Sequence, residues 1–370
     1  MNFLFACGGT AGHINPALAV AEQLCRTVPD AKILFVGAGR EMEKRLVPKA
    51  GYELENIKMS GLKRGLSPSD MVHNLKTAKN LAAAGGEAKK IIEGFMPHAV
   101  IGTGGYICYP VLKKAAQMGI PTIVHESNAI PGLTTKLLST IVDKVLVSFP
   151  GIASNYRRPD RVVFTGTPIR GGFEVREDMR SDDGKKPLIL SFWGSLGAER
   201  MNVTMAEFMM LNIRGGEFDH IHATCRSGGA EDMRSRLKRL GTADELPQGI
   251  EIREYIDDMH KVMAEAEIVI CRAGGSTVAE LTAMGKPAVL IPSPYVSNNE
   301  QEKNAEQLQK AGGAVILEEK NCSGEMLFKT VKEILNDEHR RKSMSAAQKA
   351  LGAPNATEKI ATLILDLASK

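Results

Sequence analysis

The sequence predicts an α/β protein built from two doubly wound, parallel-sheet domains. Three observations carry that prediction. Short β-branched apolar runs alternate with longer segments apolar at i, i+3 and i+4. The strand-like runs are apolar throughout. The whole pattern then occurs a second time. Alternation of this kind sets helices against both faces of a parallel sheet, and strands covered on both faces read as continuous apolar runs. At 370 residues, two domains of ordinary size are expected.

In the first half the strand candidates are Asn2–Ala6, Lys32–Val36, Ala99–Gly102, Thr122–His125, Lys144–Ser148 and Val162–Thr165. In the second they are Leu188–Phe192, His220–Thr224, Ile250–Arg253, Ile268–Cys271, Ala288–Ile291 and Ala314–Leu317. Segments such as Ala17–Cys25 and Val278–Met284 carry the helical period between them. The run Gly166-Thr167-Pro168-Ile169-Arg170-Gly171-Gly172, followed by the charged and non-periodic Arg176–Lys186, reads as a linker. It divides a first domain, residues 1–165, from a second, residues 166–340. The tail, about 341–370, is helical and amphipathic through Ile360, Leu363, Leu365 and Leu367. It is expected to return to the first domain, although its pattern names no partner.

Composition narrows the function. A hydrophobic fraction of 43% and a charged fraction of 24% exclude disordered, collagen-like and coiled-coil chains. The net charge of only +4, from 47 basic and 43 acidic residues, gives no reason to expect a nucleic-acid partner. Cys7, Cys25, Cys108, Cys225, Cys271 and Cys322 form no Cys-x-x-Cys pair, so reduced thiols are expected rather than a disulfide scaffold or zinc site. No apolar run approaches the ~18 residues needed to cross a bilayer. Met1–Cys7 is too short for a signal segment and runs into glycines.

Chemistry concentrates in four glycine-rich loops, each at the carboxyl end of a strand candidate, where ligands of open parallel sheets bind. They are Gly8-Gly9-Thr10-Ala11-Gly12-His13, Gly102-Thr103-Gly104-Gly105-Tyr106, Gly194-Ser195-Leu196-Gly197-Ala198 and Arg272-Ala273-Gly274-Gly275-Ser276-Thr277. Such loops bring main-chain N–H groups and a helix N-terminus to an anion. Two per domain, in corresponding positions, suggest a cleft for two phosphorylated ligands. The first loop lacks the Gly-x-Gly-x-x-Gly dinucleotide fingerprint, and no P-loop is present. There is no Asp-x-Asp, and Asp257-Asp258 reads as a helix start. The diphosphate charge would therefore be met by amides, helix dipoles and arginine rather than a metal, and no cofactor is expected.

Several side chains admit two readings. His13, before a helix, is either a neutral proton acceptor or a loop histidine bonded to main chain. Glu280 in Thr277-x-x-Glu280 is either half of a capping box or a carboxylate for two vicinal hydroxyls, as of a ribose. His125-Glu126-Ser127-Asn128 ends a buried strand at the ligand side of the sheet. Asn298–Asn304 either reads sugar hydroxyls or is a solvated loop.

Taken in order, these segments resemble the MurG family over nearly the whole chain. The resemblance rests on Gly8–His13, Gly104-Gly105-Tyr106, His125–Asn128, Gly166–Arg170, Gly194–Ala198, Ile256-Asp257-Asp258-Met259, Cys271 to Glu280, and Gln301-Glu302-Lys303-Asn304. It implies a GT-B fold, two Rossmann-like domains facing across a cleft. It also implies inverting transfer of N-acetylglucosamine (GlcNAc) from UDP-GlcNAc to the 4-hydroxyl of N-acetylmuramic acid in lipid I, giving lipid II for peptidoglycan. Carried over, Ile256 would contact uracil through its backbone and Glu280 would hold the ribose. Arg170 and Ser195 would line the nucleotide site. Gly275, Ser276, Thr277, Val278 and Ala279 would form the helix start at the phosphates and sugar, and Gln301 would read the sugar hydroxyls. Thr10, Ala11, Gly12 and Asn128 would close over the sugar, and Gly104, Gly105 and Tyr106 would take the acceptor. His13 is the first choice for the base and Glu126 the second. Ala11, Ser276 and Leu196 depart from residues frequent in relatives, and Ala11 adds a Cβ where glycine is common.

The resemblance also implies a peripheral protein on the cytoplasmic face of the bacterial plasma membrane, with other cell-wall synthesis proteins as further partners. Leu66, Met71, Val72, Leu75 and Leu81, near Lys63, Arg64, Lys76 and Lys79, would suit an anionic bilayer; the alternative is a helix whose apolar stripe faces the core. Two other functions share the nucleotide half: another GT-B enzyme, such as a UDP-GlcNAc 2-epimerase or a transferase with a different acceptor, and a non-catalytic UDP-sugar sensor.

Overall fold

The computed structural model describes residues 1–59, 68–173, 186–194 and 197–369, with backbone alone over 68–79 and at 82 and 297. The chain forms two units, Met1–Arg170 with Ala353–Lys370, and Gly171–Gly352. The first opens with β1 (Asn2–Cys7), α1 (Ala11–Thr27), β2 (Lys32–Gly37), α2 (Glu41–Lys49) and β3 (Glu53–Asn56). It continues with α3 (Pro68–Phe95), β4 (Ala99–Gly104), α4 (Cys108–Gln117), β5 (Thr122–Glu126), α5 (Leu133–Leu138), β6 (Lys144–Val147) and β7 (Val162–Phe164). The strands run in the order β3-β2-β1-β4-β5-β6-β7, and every pairing is parallel. β1 is central and buried, so Phe3, Leu4, Phe5 and Ala6 lose all contact with water. Phe5 stacks on Phe35 at 5.2 Å.

The second unit repeats the scheme with β8 (Leu188–Phe192), α6 (Glu199–Gly215), β9 (Asp219–Ala223), α7 (Gly229–Arg239), β10 (Ile250–Arg253), α8 (Met259–Glu265) and β11 (Ile268–Cys271). Then come α9 (Gly275–Met284), β12 (Ala288–Leu290), α10 (Glu300–Lys310), β13 (Ala314–Ile316), α11 (Gly324–Leu335) and α12 (Glu338–Leu351). Its sheet runs β10-β9-β8-β11-β12-β13, also parallel throughout. Its core is rich in methionine, with Met201, Met205 and Met209 of α6 packed beside Phe208 and Phe218.

Two features differ from the sequence expectation. β3 is an additional strand, Glu-Leu-Glu-Asn, lying at the sheet edge with most of its side chains exposed. Such an edge strand carries no apolar run to announce it. The tail is also not one helix. α12 packs on α9 in the second unit, and the chain breaks at Gly352-Ala353-Pro354-Asn355 before α13 (Ala356–Ala368) packs on α1. Pro354 lacks the N–H a continuing helix needs and disfavours helical geometry at Ala353. Only residues from Ala353 onward therefore belong to the first unit, with Ile360, Ala361 and Ile364 in its core. The linker stretch 174–185 lies outside the described residues.

Candidate active site

Each sheet order reverses direction once, between β1 and β4 in the first unit and between β8 and β11 in the second. The four glycine-rich loops are the four that follow these strands. They therefore occupy the two topological switch points, where splayed loops leave room for a ligand. Residues 195 and 196, Ser195 and Leu196 of the third loop, lie outside the described residues.

In the first unit, Thr10 precedes α1 with extended backbone, and Ala11 and Gly12 begin the helix. Ala11 keeps an ordinary negative φ, so its Cβ adds no backbone strain. His13 is the third helical residue. Its Nδ1 lies 2.8 Å from the Gly8 carbonyl oxygen. A carbonyl can only accept, so Nδ1 carries a proton, and in the neutral ring Nε2 then holds the lone pair. The main-chain bond of the second reading is present, and it leaves Nε2 outside that bond. The β4 loop supports the ring from the other side. Thr103 Oγ1 donates to the His13 carbonyl at 2.7 Å. Gly104, at φ +122°, leaves no space for a Cβ, which would overlap the imidazole and lie 2.8 Å from Nε2. Gly105, at φ +91°, packs as closely on the Gly8 backbone, and Tyr106 is exposed.

Glu126 ends β5, buried, with both oxygens engaged. Asn128 donates from its main chain and its side-chain amide, each at 3.1 Å, and Gly132 N–H donates at 3.0 Å. These bonds shape the loop that presents Asn128. His125 is buried beneath it, with Nε2 3.0 Å from the Gly166 carbonyl; burial lowers its pKa to about 4 and keeps it neutral. Arg170 is exposed at the end of the first segment.

In the second unit, Gly274 is the residue that opens α9, so Gly275, Ser276 and Thr277 supply its first turn and Val278 and Ala279 follow. A capping box from Thr277 to Glu280 does not form, because the helix begins three residues earlier. Glu280 instead stands half-buried in the second turn, without a hydrogen-bond partner among the described residues. Burial pushes its carboxyl up to about 8. Ile256 follows β10 with its side chain buried, which fixes the loop backbone. Asp258 precedes α8 without a side-chain cap and faces Arg253 at 3.6 Å. Gln301 lies in the first turn of α10 and accepts from Ser293 N–H at 2.9 Å. Asn304, grouped by sequence with the sugar-reading amides, is buried and donates to the Ala273 carbonyl at 3.0 Å, bracing the β11 loop.

Sequence reasoning missed three groups. Glu43 is a buried carboxylate under the first loop; the signal for it is an acid at the buried-face spacing, four residues before Val47. Arg272, directly after β11, and Glu319, after β13, form a buried pair. Ser191, His220 and His222 form a buried cluster across β8 and β9, with Ser191 Oγ 2.8 Å from His220 Nε2 and 2.7 Å from His222 Nδ1. Among the described residues no group of three or more His, Cys, Asp or Glu is placed to hold a metal, and all six cysteines are free. Of the basic and apolar membrane candidates, Lys63, Arg64 and Leu66 lie outside the described residues, as do the side chains of Met71, Val72, Leu75, Lys76 and Lys79; Leu81 is half-buried.

Two Rossmann-like units, each with glycine loops at its switch point and a helix N-terminus directed at that position, are the architecture of the GT-B class. Residues 3–147 match the glycosyltransferase family 28 N-terminal domain and residues 188–360 its C-terminal domain. The chain is similar to the UDP-N-acetylglucosamine--N-acetylmuramyl-(pentapeptide) pyrophosphoryl-undecaprenol N-acetylglucosamine transferase of Acetivibrio thermocellus, 42% identical over 99% of this chain and 98% of that one. A protein of the same description from Thermoanaerobacter sp. is 41% identical, covering 98% and 99%. The crystal structure of Acinetobacter baumannii MurG superposes with a TM-score of 0.74 at 25% identity, over 99% of this chain and 100% of that one. The chain belongs to glycosyltransferase family 28 and, within it, to the MurG family of N-acetylglucosaminyltransferases.

Proposed function

We propose that the protein transfers GlcNAc from UDP-GlcNAc to the 4-hydroxyl of the N-acetylmuramyl residue of a pentapeptide-bearing pyrophosphoryl-undecaprenol, releasing UDP with inversion at the anomeric carbon. The observation that carries the chemistry is the His13 geometry: Nδ1–H held by Gly8, Nε2 left as the acceptor at the first switch point. The acceptor hydroxyl oxygen forms the new bond to the anomeric carbon. The bond from that carbon to the UDP oxygen breaks with its electron pair, and the hydroxyl proton passes to His13 Nε2. A base so placed contributes roughly 10²–10⁴-fold. Glu126, with both oxygens engaged in shaping its own loop, is the weaker candidate and acts through Asn128.

The donor side follows from the second unit. Charge growing on the leaving diphosphate meets the main-chain dipoles at the start of α9, around Gly275, Ser276 and Thr277. Glu280 takes the ribose hydroxyls, Ile256 offers its main chain to uracil, and Gln301 keeps its NH2 group for the sugar. Ser195 and Arg170 join the nucleotide contacts, Thr10, Ala11, Gly12 and Asn128 the sugar contacts, and Gly104, Gly105 and Tyr106 the acceptor. A lipid-linked acceptor brings the enzyme to the membrane surface, and a nucleotide donor to its cytoplasmic face. No helix among the described residues is long and apolar enough to cross a bilayer.

A UDP-GlcNAc 2-epimerase, or a transferase with another acceptor, would use the same second-unit residues. Full-length likeness to the lipid-linked transferases supports the first reading. UDP release from UDP-GlcNAc, measured with and without a short-chain lipid I analogue, tests it. Release that depends on the analogue is expected. Release without it, or conversion of UDP-GlcNAc to its 2-epimer, would overturn it.

A further inference from the structure

Glu43 of α2 is fully buried, yet it touches the loop that carries the base. One carboxyl oxygen accepts from Gly9 N–H at 2.9 Å and the other from Arg40 N–H at 2.9 Å. Two glycines make room for it. A Cβ on Gly8 would overlap Oε1, and one on Gly37 would lie 2.7 Å from Oε2. The peptide group joining Gly8 to Gly9 is thus gripped at both ends. Its N–H donates to Glu43, and its C=O accepts from His13 Nδ1.

The geometry points to Glu43 as a positioning residue that acts on His13 through the Gly8–Gly9 peptide. Resting on the reading of His13 as base, the relay runs from carboxylate to peptide to imidazole. An N–H donating to a charged acceptor polarises its amide and makes the carbonyl a stronger acceptor. The Gly8 carbonyl then holds Nδ1–H more firmly, which fixes the tautomer and stabilises the imidazolium formed when Nε2 takes a proton. A carboxylate that orients a catalytic histidine usually bonds it directly; here one peptide plane intervenes. The same bond withdraws Gly9 N–H from any phosphate, so this loop presents its histidine rather than a full anion cradle.

The test compares wild type, Glu43→Gln and His13→Ala with UDP-GlcNAc and a short-chain lipid I analogue. Glutamine keeps the volume but can accept from only one of the two N–H groups. Glu43→Gln is expected to lower kcat roughly 10–100-fold, the size usual for a group that orients a functional histidine from behind. The donor KM should stay within about twofold, and the acidic limb of the kcat–pH profile should move to lower pH. An unchanged kcat, or a lower kcat with that limb in place, would overturn the relay. If the variant does not fold, the nitrogen-15 spectrum of wild-type His13 decides: a proton on Nδ1 is expected, and one on Nε2 overturns the proposal. His13→Ala with normal turnover would instead remove the reading of His13 as base, a separate failure.

Discussion

Arg272 and Glu319 form an ion pair of 2.6 Å in which the side chains are only 8% and 2% exposed. Arg272 also donates to the Ile291 carbonyl at 2.8 Å and lies over the Trp193 ring at 5.9 Å. It ties the end of β11, and with it the first turn of α9, to the far edge of the same sheet. Removing one partner leaves an uncompensated buried charge, which typically costs about 3–5 kcal/mol. Glu319→Ala should therefore lower the Tm sharply and weaken UDP binding. The double change Arg272→Met with Glu319→Leu should recover stability but not binding. Thermal unfolding together with UDP titration of the three proteins checks both.

With Glu280 as the proposed ribose ligand, donor binding should depend on pH. Its carboxyl is raised to about 8 by burial, so near pH 7 the free protein carries it mostly protonated. Two ribose hydroxyls donating to it favour the charged form. Binding of UDP should then release close to one proton at pH 7, and affinity should rise between pH 6 and 8 and level off above. Calorimetry in buffers of different ionisation enthalpy measures the proton directly, and Glu280→Gln should abolish it. Without ligand the sign reverses: the folded chain holds this proton more tightly than the unfolded one, so its contribution to stability declines from about pH 4.5 to 8.

Acid should unfold the protein through its buried histidines. Burial depresses His222 to about 3 and His125 to about 4, and holds His220 well below its ordinary value, with the neighbouring His222 adding to the effect. An unfolded chain takes up these protons near pH 6.5, whereas the folded one refuses them until much lower. Stability is therefore lost as pH falls below about 6.5, by roughly 1.4 kcal/mol per pH unit for each histidine. Urea unfolding at pH 7, 6 and 5 should show the loss, and His220→Phe should make it shallower.

Gly104 has no room for a side chain beside His13. Gly104→Ala would strain a backbone at φ +122° and push the imidazole from its position. Turnover should fall by at least tenfold, since small displacements of a reacting group are costly. UDP affinity, which the proposed function assigns to the other unit, should be unchanged. Steady-state kinetics with a parallel UDP titration separate the two effects.

Much of the architecture was legible because its signals are local. Buried parallel strands such as Phe3–Ala6 and Ile268–Cys271 are continuous apolar runs, and the glycine loops follow them directly in the chain. β3 was not legible, because an exposed edge strand of Glu-Leu-Glu-Asn has nothing to bury. The supporting side chains were hidden for another reason. Glu43 meets Gly9 across 34 residues and Ser191 meets His222 across 31, pairings that no local period encodes. His13 and Glu280 could be named as candidates from the sequence, but what each bonds, and what each leaves unbonded, required the fold.

The last helix has a bearing on how the polypeptide is made. Ile360, Ala361 and Ile364 help to close the hydrophobic interior around β1 and α1, which leave the ribosome well before them. These partners of β1 and α1 arrive only after the entire second unit has emerged and been able to fold. The first unit thus waits, incomplete, for α13, and a gene fragment that stops at residue 170 would encode a unit lacking part of its own interior.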